Sequence, residues 1–332
     1  MAVLGEANPL SDSGLPVSDG TGITIAGGDT PPYSANISDT SGYRVTLTDD
    51  LIIDIAGGVS AAAIAAAMQA VGASVIEGAG QGLQLWSISG DAEAAAASLA
   101  SLGIATSIER NAIIEDSVSS VGLINVSLPS GGIGISAVIP NDPFYSSLYG
   151  MDRISAPEAW ARNTGSSSVV VGIIDTGIDI DHPDLINNIW VNTDEIWGDG
   201  IDNDNNGYID DYNGYDFVRN AGIGPGYAYD DEHGHGTHVS GTVAAEGNNG
   251  IGVAGVAWDA ELMAAKFLDA DGSGSTFDAI RAVRYTTANG AQVTNNSWGG
   301  GGFSSGLYTA IDEARQAGNL FVAAAGNSNQ NT

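Results

Sequence analysis

No cysteine occurs among the 332 residues. That absence removes disulfides, zinc held by thiolates and a cysteine nucleophile, while saying little about redox compartment. Basic residues are also scarce: 9 Lys and Arg stand against 40 Asp and Glu, for a formal charge of -31. Such a surface repels phosphate backbones and anionic lipid, so nucleic-acid and membrane-surface roles are disfavoured. Its carboxylates suit hard cations such as calcium, and they serve equally for solubility or salt tolerance. A long apolar run is missing too. Residues 55–76 are uncharged, but Ala, Gly and Ser dominate them, Gln69 interrupts them, and Ile64, Met68 and Val71 recur at helical spacing. This pattern fits a soluble Ala-rich helix and fails the criterion of about 20 apolar residues for a membrane span. Residues 1–10 show neither the basic head nor the apolar stretch of a secretory signal.

What is present falls into two parts, as expected for a chain longer than the roughly 100–200 residues of one domain. Residues 1–42 include a Ser-, Gly-, Asp- and Pro-rich stretch and are expected to form a disordered leader. Residues 43–116 read as strand (43–48), helix (60–71), two strands within 74–88 turning near 78–82, helix (92–102) and strand (106–114). That order predicts a small α+β domain of split βαβ, ferredoxin-like type. Residues 117–139 are a Gly/Ser-rich linker. From residue 140 onward, strands at 169–174, 260–268, 292–295 and 320–325 alternate with helices beginning at His235 and covering 277–288 and 307–317. Alternation of this kind predicts an α/β fold with a parallel sheet.

Two stretches carry the chemistry. Val169-Val-Val-Gly-Ile-Ile-Asp175-Thr-Gly-Ile is a strand apolar on both faces that ends in a carboxylate, and ligands of parallel sheets collect at the strands' carboxyl ends. His235-Gly-Thr-His-Val-Ser-Gly-Thr is a glycine-punctuated turn opening into a small-residue helix. A carboxylate at Asp175 can hold one nitrogen of the His235 imidazole and leave the other free to take a proton. Taken alone, an Asp-Thr-Gly more often caps a turn.

In this order the two motifs resemble the subtilisin-like serine protease family (subtilases), whose catalytic residues run Asp, His, Ser. The likeness extends from about residue 140, where Pro140-Asn-Asp-Pro-Phe-Tyr and Ser155-Ala-Pro-Glu-Ala-Trp160 resemble the mature N-terminal arm. The resemblance implies a subtilisin-like parallel sheet flanked by helices and a serine endopeptidase acting on polypeptides. It makes residues 140–332 the catalytic domain and residues 43–116 an inhibitory pro-domain whose last strand is Ile108-Glu-Arg-Asn-Ala-Ile-Ile114. Cleavage is then expected between Glu115 and Asn141, with an extracellular location and a monomeric state. By the same resemblance Asp175 orients His235, His235 is the general base, and Asn327 of Ala323-Ala-Ala-Gly-Asn327 donates to the oxyanion. Gly272, Ser273 and Gly274 on one side, and Ser297, Trp298 and Gly299 on the other, flank the extended substrate; otherwise they are two ordinary loops. Trp298 stands where the family commonly has Leu. Of the remaining histidines, His182 is read as ordering its loop, His233 as a loop residue, and His238 as packed and hydrogen-bonded on the helix. No Gly-Thr-Ser-Met-Ala-x-Pro segment, which carries the family's nucleophile, occurs before Thr332. The expectation is therefore a protease chain truncated ahead of its serine and inactive alone, the alternative being a non-catalytic pseudoprotease that binds peptide or calcium.

Two structural calcium sites are expected. In Asp199-Gly-Ile-Asp202-Asn-Asp204-Asn-Asn206-Gly-Tyr-Ile-Asp210-Asp211, oxygen side chains alternate around a glycine bend, which selects Asp202, Asp204, Asn206, Asp210 and Asp211 as ligands. The closing Glu of an EF-hand loop is absent, and a solvated acidic loop is the plain alternative. The second site pairs Asp184 with Asn248 of Glu246-Gly-Asn-Asn-Gly250, by resemblance to the family's strong calcium site.

Overall fold

A computed structural model describes residues 35–38, 44–79, 82–116 and 137–327. The first elements are β1 (Ala35–Ser38), β2 (Arg44–Ile55), α1 (Ala61–Val71), β3 (Ala73–Ala79), β4 (Leu83–Ile88), α2 (Ala92–Leu102) and β5 (Ala105–Asp116). Both helices start and stop on local signals. Ser60 accepts the Ala63 N–H and Asp91 accepts those of Glu93 and Ala94, while Gly72 and Gly103 close the helices in the left-handed region. The strands lie in the order β5-β2-β4-β3, each pair antiparallel. Period-two alternation divides β2 between two cores. Leu51 and Ile53 face α1 and α2 with Trp86, Ile88 and Leu99, whereas Ile52, with Leu83 and Leu85, joins the core beneath the second sheet's helices.

Two expectations are corrected here. Residues 35–38, placed in the disordered leader by composition, form β1, paired with the start of β2 from Ala35↔Leu47 to Ser38↔Arg44; a tertiary partner supplies what composition does not show. The first strand of the α+β unit runs on to Ile55 because a register shift between Leu47 and Leu51 carries it past Asp49 and Asp50, which break the apolar pattern. The rest of the leader and residues 117–136, the bulk of the expected linker and cleavage region, lie outside the described residues.

The second part contains α3 (Tyr149–Arg153), α4 (Ala156–Trp160), β6 (Val170–Asp175), β7 (Gly214–Asp216), β8 (Ala221–Ile223), α5 (His235–Ala244), β9 (Glu261–Lys266) and β10 (Ser273–Ser275). It continues with α6 (Thr276–Ala288), β11 (Val293–Asn296), β12 (Trp298–Gly299), α7 (Ser305–Gln316) and β13 (Leu320–Ala323). Its sheet has the order β13-β11-β6-β9-β7-β8, parallel except for the β7–β8 pair. Ile173 and Ile174 of β6 are both fully buried, one against the α5 side and one against the α6 and α7 side. This is the subtilisin-like arrangement of parallel strands flanked by helices. Successive strands run to one side of β6 through β9 and to the other through β11, so the carboxyl end of β6 lies at the switch point.

The two parts share one hydrogen-bonded sheet. Beyond its pairing with β2, the end of β5 lies antiparallel to β10, through Ser273↔Glu115, Gly274↔Ile114 and Ser275↔Ile113, and to β12, through Trp298↔Asp116 and Gly299↔Glu115. Among the described residues no helix is long and apolar enough to cross a membrane.

Candidate active site

Asp175 ends β6 with no exposed surface, and its Oδ1 lies 2.7 Å from His235 Nδ1. The same oxygen accepts the Thr176 N–H at 2.7 Å, so the carboxylate is held from its own turn as well as from the imidazole. His235 is the first residue of α5. Its approach depends on two glycines. A Cβ on Gly236 would stand 2.0 Å from the Gly177 carbonyl oxygen, and one on Gly177, at φ +114°, would stand 1.7 Å from that of Asp230. Only backbone without side chains lets the turn after Asp175 and the start of α5 touch. With its Nδ1 on a carboxylate, the imidazole has Nε2 as the nitrogen that can take up a proton.

Below this turn sits Lys266, fully buried, with Nζ donating to the carbonyl oxygens of Thr176 at 2.5 Å and Leu268 at 3.1 Å. Burial pushes its amine below the ordinary lysine range, opposed by the nearby carboxylates of Asp216, Asp231 and Glu232. On the other side Asp231 collects donors from Thr176, His233, Gly234 and Thr237.

The segments selected as substrate-flanking are β10 and β12 with the residues beside them. Ser273 and Gly274 are in β10, and Gly272 precedes it; Trp298 and Gly299 are β12, and the Ser297 hydroxyl accepts from Asn295 Nδ2 at 2.8 Å. Trp298 turns its ring inward, edge-on to Phe267 at 5.0 Å. The end of β5 is the peptide they flank. Three contacts secure it. Glu109 accepts the Ser304 hydroxyl at 2.7 Å and the Ser305 N–H at 2.9 Å at the start of α7; the Asn111 side-chain oxygen accepts the Phe277 N–H of α6 at 3.3 Å; and the Thr276 hydroxyl donates to the Ala112 carbonyl at 3.3 Å. Burial raises the Glu109 carboxyl above the ordinary range against the lowering effect of these bonds. Asn327 is exposed four residues past the end of β13, at the same end of the sheet as Asp175.

The histidines beside His235 are divided by the helix face. His238 is exposed, not packed as the sequence suggested, because α5 buries Gly236, Ser240 and Ala244 and the residue midway between the first two faces outward. His233 is exposed in the preceding loop, with its ring 6.3 Å from that of His235. His182 Nδ1 accepts the Asp184 N–H at 3.2 Å, ordering its own loop.

In the acidic loop, ligand atoms of Glu195, Asp202 and Asp204 all lie within 4.8 Å of one another. Glu195 was not selected from sequence, since it precedes the 199–211 loop by four residues where a loop template expects a later Glu. Asn206 Nδ2 bridges Asp204 and Asp211, and Asp211, fully buried, also takes the Tyr285 hydroxyl at 2.8 Å and Asn192 Nδ2 at 3.2 Å. Burial raises the Asp211 carboxyl to about 6, against the bonds from Tyr285 and Asn206 and helped by the charges of Asp204 and Glu195. Asp210 points elsewhere: its carboxylate accepts the N–H groups of Gly198 and Gly200. Near the second expected site, Asp184 receives Asn249 Nδ2 at 2.8 Å and the Val253 N–H at 2.8 Å, while the Asn248 side-chain oxygen takes the Asn141 N–H. The neighbouring asparagine, not Asn248, is the one bonded to Asp184. Asp142 of the arm, also not selected, accepts the N–H groups of residues 248–250.

Residues 166–332 match the family model described as the Subtilase family. This chain is a subtilase. Curated relatives include Subtilisin-like protease 1 of Plasmodium vivax, 36% identical over 190 residues covering 56% of this chain and 29% of that protein. Thermitase of Thermoactinomyces vulgaris is 36% identical over 190 residues, 57% of this chain and 58% of its own length. The Halolysin-like extracellular serine protease Nep of Natrialba magadii is 36% identical over 189 residues, 57% of this chain and 31% of its own length. The subtilase match thus spans less than two thirds of each of these relatives. Among solved structures, fervidolysin from Fervidobacterium pennivorans, described as a keratinolytic enzyme related to subtilisin, aligns with a TM-score of 0.63 at 23% identity. That alignment covers 84% of this chain and 40% of fervidolysin, a likeness of fold.

Proposed function

We propose that the chain is the precursor form of a secreted serine endopeptidase, with residues 43–116 as an inhibitory pro-domain and residues 140–332 as catalytic domain. The observation that carries the reading is the 2.7 Å contact between Asp175 Oδ1 and His235 Nδ1 at the switch point of the sheet. Asp175 orients the imidazole and stabilises it when protonated; His235 takes the proton of a serine hydroxyl through Nε2 and returns it to the leaving amine. Asn327 is assigned to the oxyanion, and the nucleophile to sequence following Thr332. Polypeptide substrates are held as β5 is held, by main-chain bonds to β10 and β12 with side chains alternating between pockets. A peptide already lying there blocks the groove, which makes the pro-domain the enzyme's own inhibitor.

Calcium fits the donor set of Glu195, Asp202 and Asp204, which is all oxygen and closely spaced, with Asn206 and Asp211 bracing it. The ion, when bound, supplies charge neutralisation that holds the 199–211 loop on the sheet's edge. Asp184 is the second proposed ligand centre, beside Asn249 more than Asn248.

The test is expression of the complete reading frame, with N-terminal sequencing of the mature protein. Cleavage between Glu115 and Asn141 that His235→Ala abolishes is expected. An intact chain in which wild type and His235→Ala behave alike, or a stop codon after Thr332, favours instead a pseudoprotease that binds peptide or calcium without cutting it.

A further inference from the structure

Helix α5, which carries His235, begins without a cap of its own: its N-cap is Gly234, and no side chain of the N-cap accepts a hydrogen bond. The first N–H groups of a helix need acceptors from elsewhere. Here one carboxylate and the hydroxyl bonded to it supply them. Asp231 Oδ1 accepts the Gly234 N–H at 2.8 Å, and its Oδ2 accepts the Thr237 N–H at 2.8 Å and the Thr237 hydroxyl at 2.5 Å. Oδ1 also accepts the Thr176 hydroxyl at 2.8 Å, and Thr176 is the residue that follows Asp175. The Thr176 oxygen in turn receives the Gly236 N–H at 2.9 Å.

Thr176 is therefore held at all of its polar groups. Its N–H is on Asp175 Oδ1, its hydroxyl is on Asp231, and its carbonyl is on the buried ammonium of Lys266. Opposite charges grip the residue from two sides, and one of those charges also grips the helix start. Asp175 and His235 stand on separate elements, 60 residues apart in sequence. Nothing local in either element sets their separation.

We propose that Asp231 is a positioning residue that fixes the distance and orientation of His235 relative to Asp175, by binding the strand end and the helix start with one carboxylate. Its carboxylate holds the turn and the helix start, at Thr176, His233, Gly234 and Thr237. The proposal rests on reading Asp175 and His235 as the catalytic pair, and it extends that reading by naming what sets their geometry.

The experiment follows the His235 Nδ1–H proton by NMR in the chain labelled at histidine, in wild type, Asp231→Asn and Thr176→Val. A proton shared with a buried carboxylate gives a far-downfield signal. Asp231→Asn replaces one accepting oxygen by an NH2 group that cannot accept; Thr176→Val leaves Asp231 on Gly234 and Thr237 but severs its link to the strand, and with it the Gly236 N–H bond to the Thr176 hydroxyl. Loss or upfield movement of the signal in both variants, with circular dichroism unchanged, is expected. Retention of the wild-type signal in folded Asp231→Asn overturns the proposal, and if that variant does not fold, retention in Thr176→Val does so. In the complete reading frame, the same variants are expected to lower kcat on a peptide roughly tenfold to a hundredfold with KM little changed. The NMR signal decides the positioning role even if the wild-type protein cleaves nothing, an outcome that would count against the protease reading alone.

Discussion

Removing Glu109 tests how the N-terminal unit is held against the rest. This side chain belongs to β5 and accepts the Ser304 hydroxyl at 2.7 Å, the Ser305 N–H at 2.9 Å and the Ser305 hydroxyl at 3.4 Å. Hydrogen bonds to a charged group contribute about 1.5–3 kcal/mol each when their loss leaves a donor unpaired. The loss in Glu109→Ala falls near the low end of that range, because α7 keeps its own cap through Ser304 on the Leu307 N–H and water can reach the freed donors. A change of about 1.5–2 kcal/mol corresponds to roughly tenfold to thirtyfold weaker association. The assay inserts a specific-protease site within residues 117–136, cuts the folded chain there, and follows dissociation of the N-terminal piece by size exclusion or calorimetry. The raised carboxyl pKa adds a sign. A group whose pKa rises on docking favours association most below the ordinary carboxylate pKa, and loses that contribution as pH rises through the raised value. Glu109→Gln, neutral at every pH, is therefore expected to lose less than Glu109→Ala and to flatten the acid-side dependence. Unchanged dissociation in Glu109→Ala would refute the anchoring role.

Other outcomes follow from the same geometry. Asp175→Asn leaves the shape but offers His235 the wrong partner, so self-processing of the complete protein is expected to fall by about 10⁴-fold; a loss under about tenfold would contradict the assignment. Gly236→Ala forces a Cβ to within 2.0 Å of the Gly177 carbonyl oxygen and should destabilise by about 2–3 kcal/mol in guanidinium unfolding, whereas an unchanged midpoint would mean the two turns separate freely. Calcium removal by chelation is expected to lower the melting temperature, and calorimetry showing no binding to the folded protein would dismiss the site. Burial raises the neighbouring Asp211 carboxyl to about 6, and a cation beside it favours the ionised form, so calcium affinity should drop as pH falls through that value. Without the ion, the same raised pKa makes stability decline as pH rises through about 6, which is where calcium should restore the most.

Much of the molecule is legible in one dimension. The helix at Ala92–Leu102 lies between an Asp cap and a Gly stop, so its ends are written locally. Asp175 is found because a near-continuous Val/Ile strand announces burial on both faces, and the carboxyl end of such a strand is where ligands collect. The two glycine-rich segments are recognisable by resemblance, although as isolated loops they predict nothing. Less legible are elements with no periodicity to show. Strands β7 and β8 are three residues each and exist through pairing, in which Gly214 lies opposite both Ala264 and Ile223. Asp231 sits among Asp230, Glu232 and His233, where composition suggests only a solvated acidic turn. Asp210 and Asp211 are adjacent and chemically identical, yet one caps a loop while the other is buried against Tyr285.

By itself the sequence determined the helices and most of the longer strands, that the central sheet is parallel, and that Asp175 and His235 are the residues to bring together. Caps, apolar periodicity and short motifs are properties of neighbours in the chain, so a linear reading reaches them. The tertiary structure alone decided how far apart that pair stands, which carboxylates of the 199–211 loop face one another, and that the end of β5 lies between β10 and β12. The first and the last depend on groups 60 to more than 150 residues apart approaching within a hydrogen bond, and such a meeting is set by packing and backbone clearance that no local pattern records.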